Sequence, residues 1–548
     1  MYHKLMRKLV LSVCSCLVLS AGSAFAQNAV VTVAVDAAAD RHPINPNIYG
    51  VAFGSASALA GINAPLNRFG GNTATRYNWR LNAFNHASDF YFESIGESSA
   101  VAGAAGDDFV AASKGGGAQP MITVPMIGWV AKLGANRAKL ASFSQAKYGE
   151  QTAADHPYFP DAGNGILKST GKYVAGNDPN DADVSCDSSF QKTWIEHLAG
   201  KWGDSLHGGV RYYFTDNEPS IWFSTHRDVH PTGPTMAEIE GKIVDYATRI
   251  KEADPGALVA GPEEWGWGGY LYSGYDQQWG ASHNYTGYPD RAAHGGQDYI
   301  PWLLDQLKRV SLPGGRRVLD ALTVHYYPQG GEFGDDVSAA KQLLRNRSTR
   351  SLWDPNYVDE SWIHDKVRLI PRLREWAGRH YFPGTPIGVT EYNWGAEGHI
   401  NGATAQADVE GIFGREGLDY GVRWTTPGAT TPVYKAMQMY RNYDGHGGAF
   451  GDISVRAAAP NPDNLSAFAA VRTGDGALTV MVINKVPAGT TDCALQMSHF
   501  AAGAQAHVWQ MTSANAIKQG ADLHVADGNL SLTLPAQSIT LFVVPPAN

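Results

Sequence analysis

The sequence predicts an α/β chain, a (β/α)8 barrel packed against a β-sandwich that is built from the C-terminal region and one N-terminal strand. Three observations lead there. Eight short, β-rich apolar runs alternate with helical periods across residues 48–443. Beyond residue 443 the helical period stops, and short strands follow one another through turns such as Thr473-Gly474-Asp475-Gly476. Two of the early runs end on a glutamate flanked by amides and aromatics. The C-terminal tips of barrel strands are where this architecture keeps its chemistry.

In chain order, residues 1–26 read as an export signal. Lys4, Arg7 and Lys8 precede an apolar stretch at 9–19, and Ala24-Phe25-Ala26 is a small-x-small cleavage site. Cleavage after Ala26 implies a secreted or periplasmic protein. Residues 27–47 supply a strand at 29–35, expected as an edge strand of the sandwich. The barrel, residues 48–443, has predicted strands at 48–54, 66–71, 121–129, 210–216, 258–263, 319–327, 387–391 and 418–425. Predicted helices at 190–203, 236–253, 299–310, 366–379, 404–415 and 432–443 sit between them. The second of these starts after Thr235 and stops at Asp254-Pro255-Gly256, which are cap and stop signals. No Gly-x-Gly-x-x-Gly follows an early strand, so a dinucleotide-binding fold is not indicated. Residues 444–548 form the sandwich, with strands at 466–471, 478–484, 506–511 and 539–544. No Pro/Ser-rich linker separates the two units, so they are expected to pack together.

Composition narrows the partners. The net charge of −9 becomes −12 once the three leader cations are removed. An acidic chain lacks the basic patch that nucleic acid requires. No later run is long enough to cross a bilayer. A neutral substrate and a monomer fit best. The 15 Trp exceed what a core needs, and flat indoles stack on the apolar faces of sugar rings. Only Cys186 and Cys493 follow the leader, so no disulfide framework is expected. Cys-x-x-Cys spacing is absent, and catalytic zinc is not expected.

Glu218, in Asp216-Asn217-Glu218-Pro219, closes the fourth predicted strand. Glu391, in Thr390-Glu391-Tyr392-Asn393-Trp394, closes the seventh. Two carboxylates on different strand tips are the minimal equipment for cleaving a glycosidic bond. Asn217 is placed to donate to a sugar 2-hydroxyl, and Arg68 to keep a carboxylate at the barrel floor ionised. His325, Tyr326 and Tyr327 end the sixth strand, and Tyr392, Trp394 and Trp424 lie at the ends of the seventh and eighth. His or Tyr is expected to orient the nucleophile, and Trp to floor a sugar ring. Trp79, Trp129, Trp222, Trp265 and Trp267 extend this into an expected open groove. Bland alternatives exist for each residue: Glu218 as a helix N-terminal carboxylate, Arg68 paired with Asp89, His325 as a hydrogen-bonded core residue.

The strings Asn67-Arg68-Phe69-Gly70-Gly71-Asn72-Thr73-Ala74-Thr75-Arg76-Tyr77-Asn78-Trp79 and Ser88-Asp89-Phe90-Tyr91-Phe92 resemble the opening motif of glycoside hydrolase family 44. So do Asp161-Ala162-Gly163-Asn164-Gly165, Asp216 through Trp222 with Thr225-His226, and Thr390 through Gly395. The resemblance implies a barrel joined to a sandwich and a retaining endo-β-1,4-glucanase acting on xyloglucan, carboxymethylcellulose and similar β-glucan chains. Glu218 would be its acid/base and Glu391 its nucleophile, with no cofactor needed for catalysis. It also allows a structural calcium ion, for which residues 177–183 and Asp161 offer oxygen ligands. Segments 283–294 and 333–353 read as loop variation. The rivals are an exo-acting β-glycosidase or arabinofuranosidase, and a non-catalytic glycan-binding protein.

Overall fold

The computed structural model describes residues 27–312 and 314–547; the predicted export signal lies outside the described residues. After strand β1 (Asn28–Asp36) the chain builds a closed parallel barrel of β2 (Gly50–Ala52), β3 (Leu66–Phe69), β4 (Gln119–Val124), β5 (Tyr212–Thr215), β6 (Leu258–Glu264), β7 (Ala321–Tyr326), β8 (Ile387–Tyr392) and β9 (Tyr420–Arg423). Closure is by β9 on β2, with Val422 opposite Gly50. Its principal helices are α1 (Ala104–Gly115), α2 (Ser188–Trp202), α3 (Met236–Ala253), α4 (Tyr299–Arg309), α5 (Ala339–Ser348), α6 (Leu369–His380), α7 (Ile400–Arg415) and α8 (Pro432–Arg441).

Strand alternation sets the barrel lining. Leu66, Met121, Tyr212, Phe214, Ala260 and Val422 fill the interior. Two residues further along β3, Arg68 is also fully buried. Ala321, Thr323 and His325 rise in the same way along β7. Two bulges break the register. Glu263 is the extra residue where β6 pairs β7, and Thr390 the extra residue where β7 pairs β8. A bulge re-aims the side chains beside it, and both occur at the mouth.

Several expected boundaries need correction. The run 121–129 does not stay one strand: it ends at Val124, and Trp129–Ala131 pairs with Asp183–Ser185 in a separate two-stranded sheet. The first barrel strand is shorter than 48–54, because Pro46–Tyr49 winds into a 3-10 turn. α1 and α5 were not expected. α1 carries Ala, Gly and Ser in place of a strong apolar stripe, and α5 lies in the segment read as loop variation.

The C-terminal region adds β10 (Ile453–Ala458), β11 (Leu465–Val471), β12 (Leu478–Asn484), β13 (Thr491–Ser498), β14 (Gln505–Met511), β15 (Asn529–Leu534) and β16 (Ser538–Val544). With β1 and the short strands His42–Pro43, Ile517–Gln519 and Leu523–His524 they form one continuous eleven-stranded sheet. It curls around its own core, in which Val33 and Val35 of β1 meet Val480, Leu495 and Val508. β1 is not the expected edge strand. It runs between β10, antiparallel, and β13, parallel, with Val35 opposite both Ala457 and Met497. Cys186 and Cys493 are unpaired.

α7 joins barrel and sheet. Every residue from Ile400 to Gly414 is buried. A side chain at Gly411 would run into the ring of Phe468 on β11, so only glycine lets the helix and sheet approach this closely. Asp408 on α7 pairs with Lys485, just past β12, at 2.6 Å, and both side chains are 2% exposed. Thr349 also donates to Asp408, and Lys485 to the carbonyl of Pro462. Breaking a buried pair strands its partner charge. Lys485→Met is therefore expected to destabilise the protein by about 3–5 kcal/mol. A fall in the urea midpoint at unchanged m-value would read this out; an unshifted midpoint would show that the pair is dispensable.

Candidate active site

The backbone around Glu218 is held in an unfavourable shape. Asp216 and Glu218 have φ of +66° and +46°. Glu218 also precedes Pro219, which disfavours helical-type conformations in its predecessor. Left-handed non-glycine residues cost about 1–3 kcal/mol each, so the surroundings must impose them. Four contacts do so. The Glu218 N–H donates to the carbonyl of Glu263 at 3.0 Å. Trp222 donates its indole N–H to the carbonyl of Asn217 at 3.0 Å. The buried Asp216 carboxylate accepts the N–H groups of Ile127 and Asn217, both at 2.9 Å. Burial pushes Asp216 up to about 7, against the pull of these donors.

These contacts turn Glu218 over the barrel mouth toward Glu391. The oxygens of Glu218 and Glu391 and a ring nitrogen of His325 all lie within 4.8 Å of one another. The two carboxyls are held differently. Glu391 accepts from Arg68 Nη1 at 2.6 Å and from the Tyr327 hydroxyl at 2.9 Å. Burial and the neighbouring Glu391 keep the Tyr327 phenol far above its usual range, so it remains a donor. Glu218 faces Nδ1 of His325 at 2.9 Å. Burial raises the Glu218 carboxyl above the ordinary range, and the hydrogen bond from His325 opposes that rise. His325 itself lies up at about 10: burial pushes it down, but Glu391 and the hydrogen bonds to Glu218 and Glu263 outweigh burial.

Asn217 lies against this group. Its Oδ1 accepts from Arg68 Nη2 and from the Gly71 N–H, both at 3.2 Å, and its amide reaches Asn72 Oδ1 at 3.3 Å. Gly71, with φ +79°, is required: a Cβ there would sit 2.5 Å from the Trp424 indole. Trp424 in turn stands 6.0 Å from the Arg68 guanidinium. Arg68, Asn217, Glu218, His325, Tyr327, Glu391 and Trp424 are thus one constellation. Arg68 pairs with Glu391 and not with Asp89, which accepts from Asn72.

The other expected residues lie elsewhere. Tyr326 and Tyr392 follow inward-facing residues and so point outward. Tyr326 donates to Asp359, and Tyr392 accepts from Gln406 on α7. Trp394 is buried and donates to Ser348, and Trp222 is the buried bracket beneath the turn. Trp79 packs outside the barrel on Phe190 and His197 of α2.

Two features were missed. One is Glu263, which has the same strand-tip placement as Glu218 and Glu391 but no informative neighbours. The other is Trp362, in a segment with no period. It is 54% exposed, lies near-parallel to Trp265 at 6.3 Å and donates to Gln329 at 3.2 Å, while Gln329 donates to the Tyr327 carbonyl. On the Trp424 side, exposed Phe53 meets that ring edge-on at 5.6 Å. Exposed aromatics therefore border the carboxylates on two sides.

In the segment expected to offer calcium ligands most carboxylates have partners of their own, although Asp183 Oδ1 is buried without one. Asp161 accepts the Ala146 N–H, Asp178 caps Asn180, Asp181 binds Lys147 and Tyr148, and Asp183 pairs with Arg76. A pair outside that segment also offers unpartnered oxygens. Glu93 Oε1 and Asp155 Oδ2 are buried without a hydrogen-bond partner. The two carboxyls face each other, and burial pushes Glu93 up to about 7, with Lys139 opposing it.

The chain is similar to several known glycoside hydrolases. The model of glycoside hydrolase family 44 matches residues 83–330. Endoglucanase A of Paenibacillus lautus is 30% identical over 533 residues, an alignment that covers 93% of this chain and 71% of that protein. Among solved structures, CelM2, a bifunctional glucanase-xylanase from a metagenome library, is 63% identical, with a TM-score of 0.94 over 95% of this chain and 100% of that one. A family 44 xyloglucanase of Paenibacillus polymyxa, solved with xyloglucan, is 28% identical, with a TM-score of 0.78 over 95% and 100% of the two chains.

Proposed function

This chain belongs to glycoside hydrolase family 44, and on that premise we propose that it is an endo-β-1,4-glucanase working by retention of anomeric configuration. One observation carries the mechanism: carboxylate oxygens of Glu218 and Glu391 within 4.8 Å of each other. Retaining enzymes hold their carboxyls about 5–5.5 Å apart, whereas inverting enzymes leave about 6.5–9.5 Å for a water.

The different settings of the two carboxyls assign their roles. Arg68 and Tyr327 hold Glu391 as an anion aimed at the anomeric carbon, which suits the nucleophile. Glu218, raised by burial, gives its proton to the glycosidic oxygen as the C1–O bond breaks and the Glu391–C1 ester forms. Glu218, now a carboxylate, then takes a proton from the water that cleaves the ester. The developing positive charge on the sugar lies between carboxylates in a desolvated site. Catalysis on this route needs no cofactor. A structural calcium ion would be held at Glu93 and Asp155. We read the curled sheet as the β-sandwich of this architecture, and place the protein outside the cytoplasm on the strength of residues 1–26.

Glucan chains with several sugars in contact are supported by exposed Trp362 with half-buried Trp265 on one side of the pair and exposed Phe53 with half-buried Trp424 on the other. A xylan backbone is a second reading, favoured by the 63% identity to a glucanase-xylanase. Initial rates on xyloglucan, carboxymethylcellulose, xylan and mannan test the polymer. A ladder of cello-oligosaccharides tests the endo reading. Trp362→Ala should weaken turnover of long oligosaccharides by roughly tenfold, the loss of about 1 kcal/mol or somewhat more of stacking, and leave the shortest substrates unchanged. Equal losses at every length would favour an exo-acting pocket.

A further inference from the structure

Glu263 is a buried anion that this chemistry leaves unused. It is the bulged residue of β6, has φ +58° and is wholly buried. Its Oε1 accepts the hydroxyls of Thr323 and of Thr390, the bulged residue of β8. Its Oε2 lies 3.0 Å from Arg68 Nη2 and 3.2 Å from His325 Nε2.

His325 Nε2 therefore sits between an acceptor, Glu263 at 3.2 Å, and a donor, Arg68 Nη2 at 3.3 Å. Arginine can only donate. Facing Arg68 alone, the nitrogen would have to be unprotonated. A carboxylate at the same distance calls for a proton there. The other nitrogen, Nδ1, already faces Glu218 at 2.9 Å and Glu391 at 3.5 Å.

We propose that Glu263 is a positioning residue that keeps His325 doubly protonated, and that His325 in this form fixes the hydrogen bond by which Glu218 is readied as the base of the second step. The proposal rests on the reading of Glu218 as acid/base. A charge count supports it. Before reaction, Arg68 and His325 as cations balance Glu263 and Glu391 as anions, with Glu218 protonated. After the first step Glu391 is esterified, the Glu218 proton has left on the glycosidic oxygen, and Glu218 supplies the second anion. The sum is zero in both states. Without Glu263 it would be one positive charge in both, within a buried site.

The other charged or titratable groups near the pair are few. Arg68 and Glu391 reach Glu218 from β3 and β8; Glu264, Tyr270 and Tyr327 also act on it. Burial holds Tyr270 and Tyr327 neutral. Burial pushes Glu264 up to about 8, although Ser220 hydrogen-bonds it. Burial also opposes the charge on Glu263, but Arg68 and His325 outweigh it and hold that carboxyl below its ordinary range. Glu263 is thus the anion that faces Nε2.

The test uses the full chain labelled with 15N-imidazole histidine, with His325→Gln identifying the signal. In the wild type at about pH 8, above the ordinary histidine value near 6.5, His325 should show both nitrogens protonated. In Glu263→Gln the two threonine hydroxyls should hold the amide carbonyl at the Oε1 position and leave the NH2 facing Nε2. His325 should then lose its second proton about 1–3 pH units lower than in the wild type, as read from the pH titration of the ring signal. Freed of the imidazolium, Glu218 rises, and its carboxylate is lost at higher pH. The acid limb of kcat on an aryl cellobioside with a good leaving group, where the second step limits, should move up by about one unit. An unchanged ring signal overturns the proposal. A changed ring signal with a stationary limb overturns the reading of Glu218 beneath it. If Glu263→Gln fails to fold, Glu263→Asp keeps the charge but withdraws it from Nε2 by one methylene. It should lower the His325 titration by a smaller amount, and no movement there also overturns the proposal.

Discussion

Replacing Glu391 by alanine is expected to lower kcat by about 10⁴-fold or more, the scale on which loss of a covalent nucleophile removes transition-state stabilisation. The structure gives two reasons for so large an effect. Glu391 is held in place by Arg68 at 2.6 Å and by Tyr327 at 2.9 Å, so the wild-type carboxylate needs no reorganisation before attack. Both donors remain in the variant, around a space the size of a small anion. Azide should enter there and attack an activated aryl glycoside from the nucleophile's face. The expected product is the glycosyl azide of inverted configuration, identified by its anomeric proton coupling. A retained azide product from this variant would exchange the roles of the two glutamates.

Glu218→Ala should behave differently. The first step loses its acid, and the loss depends on how much help the leaving group needs. Losses of about 10²–10⁴-fold are expected for polysaccharide and unactivated oligosaccharides, the usual span for general acid catalysis. Aryl glycosides with good leaving groups should form the ester nearly normally, show a burst, and then stall at hydrolysis for want of a base. Azide, which needs no base, should relieve the stall and give a product of retained configuration. A uniform loss across leaving groups would mean that Glu218 transfers no proton.

Much of the scaffold and the two principal carboxylates could be read from the sequence, because both depend on local order. Strand runs, caps such as Thr235 and stop signals such as Asp254-Pro255-Gly256 are written within a few residues of where they act. α3 was accordingly expected at the bounds it has, Met236–Ala253. The aromatics were harder. Tyr326 and Tyr392 look like site residues by position, but one step along a strand reverses the face, and both turn away from the mouth. Bulges sharpen the difficulty: nothing in Gly261-Pro262-Glu263-Glu264 states which glutamate turns inward. Trp362 was unreadable for another reason. Its neighbours Gln329 and Trp265 come from other loops, and the contact exists only once the barrel has brought them together.

The placement of β1 has a consequence for how the chain is made. A strand in the middle of a sheet cannot be added from outside; its neighbours must close around it. Its carbonyl at Val35 is met by the hydroxyl of Ser498, 463 residues downstream. During vectorial synthesis β1 precedes the barrel and stays unpaired until β10 and β13 have followed. The barrel can organise in that interval, since its strands follow one another in sequence, but the sheet is completed only by strands that come after the barrel. Contact order is thus concentrated in one unit of a molecule whose other unit is local. A chain cut short within β13 would leave β1 paired with β10 on one side only, and the open side is the kind of edge that pairs with another copy. β1 and the strands that follow the barrel are mechanically a single part, and β1 cannot be removed without opening the sheet between β10 and β13.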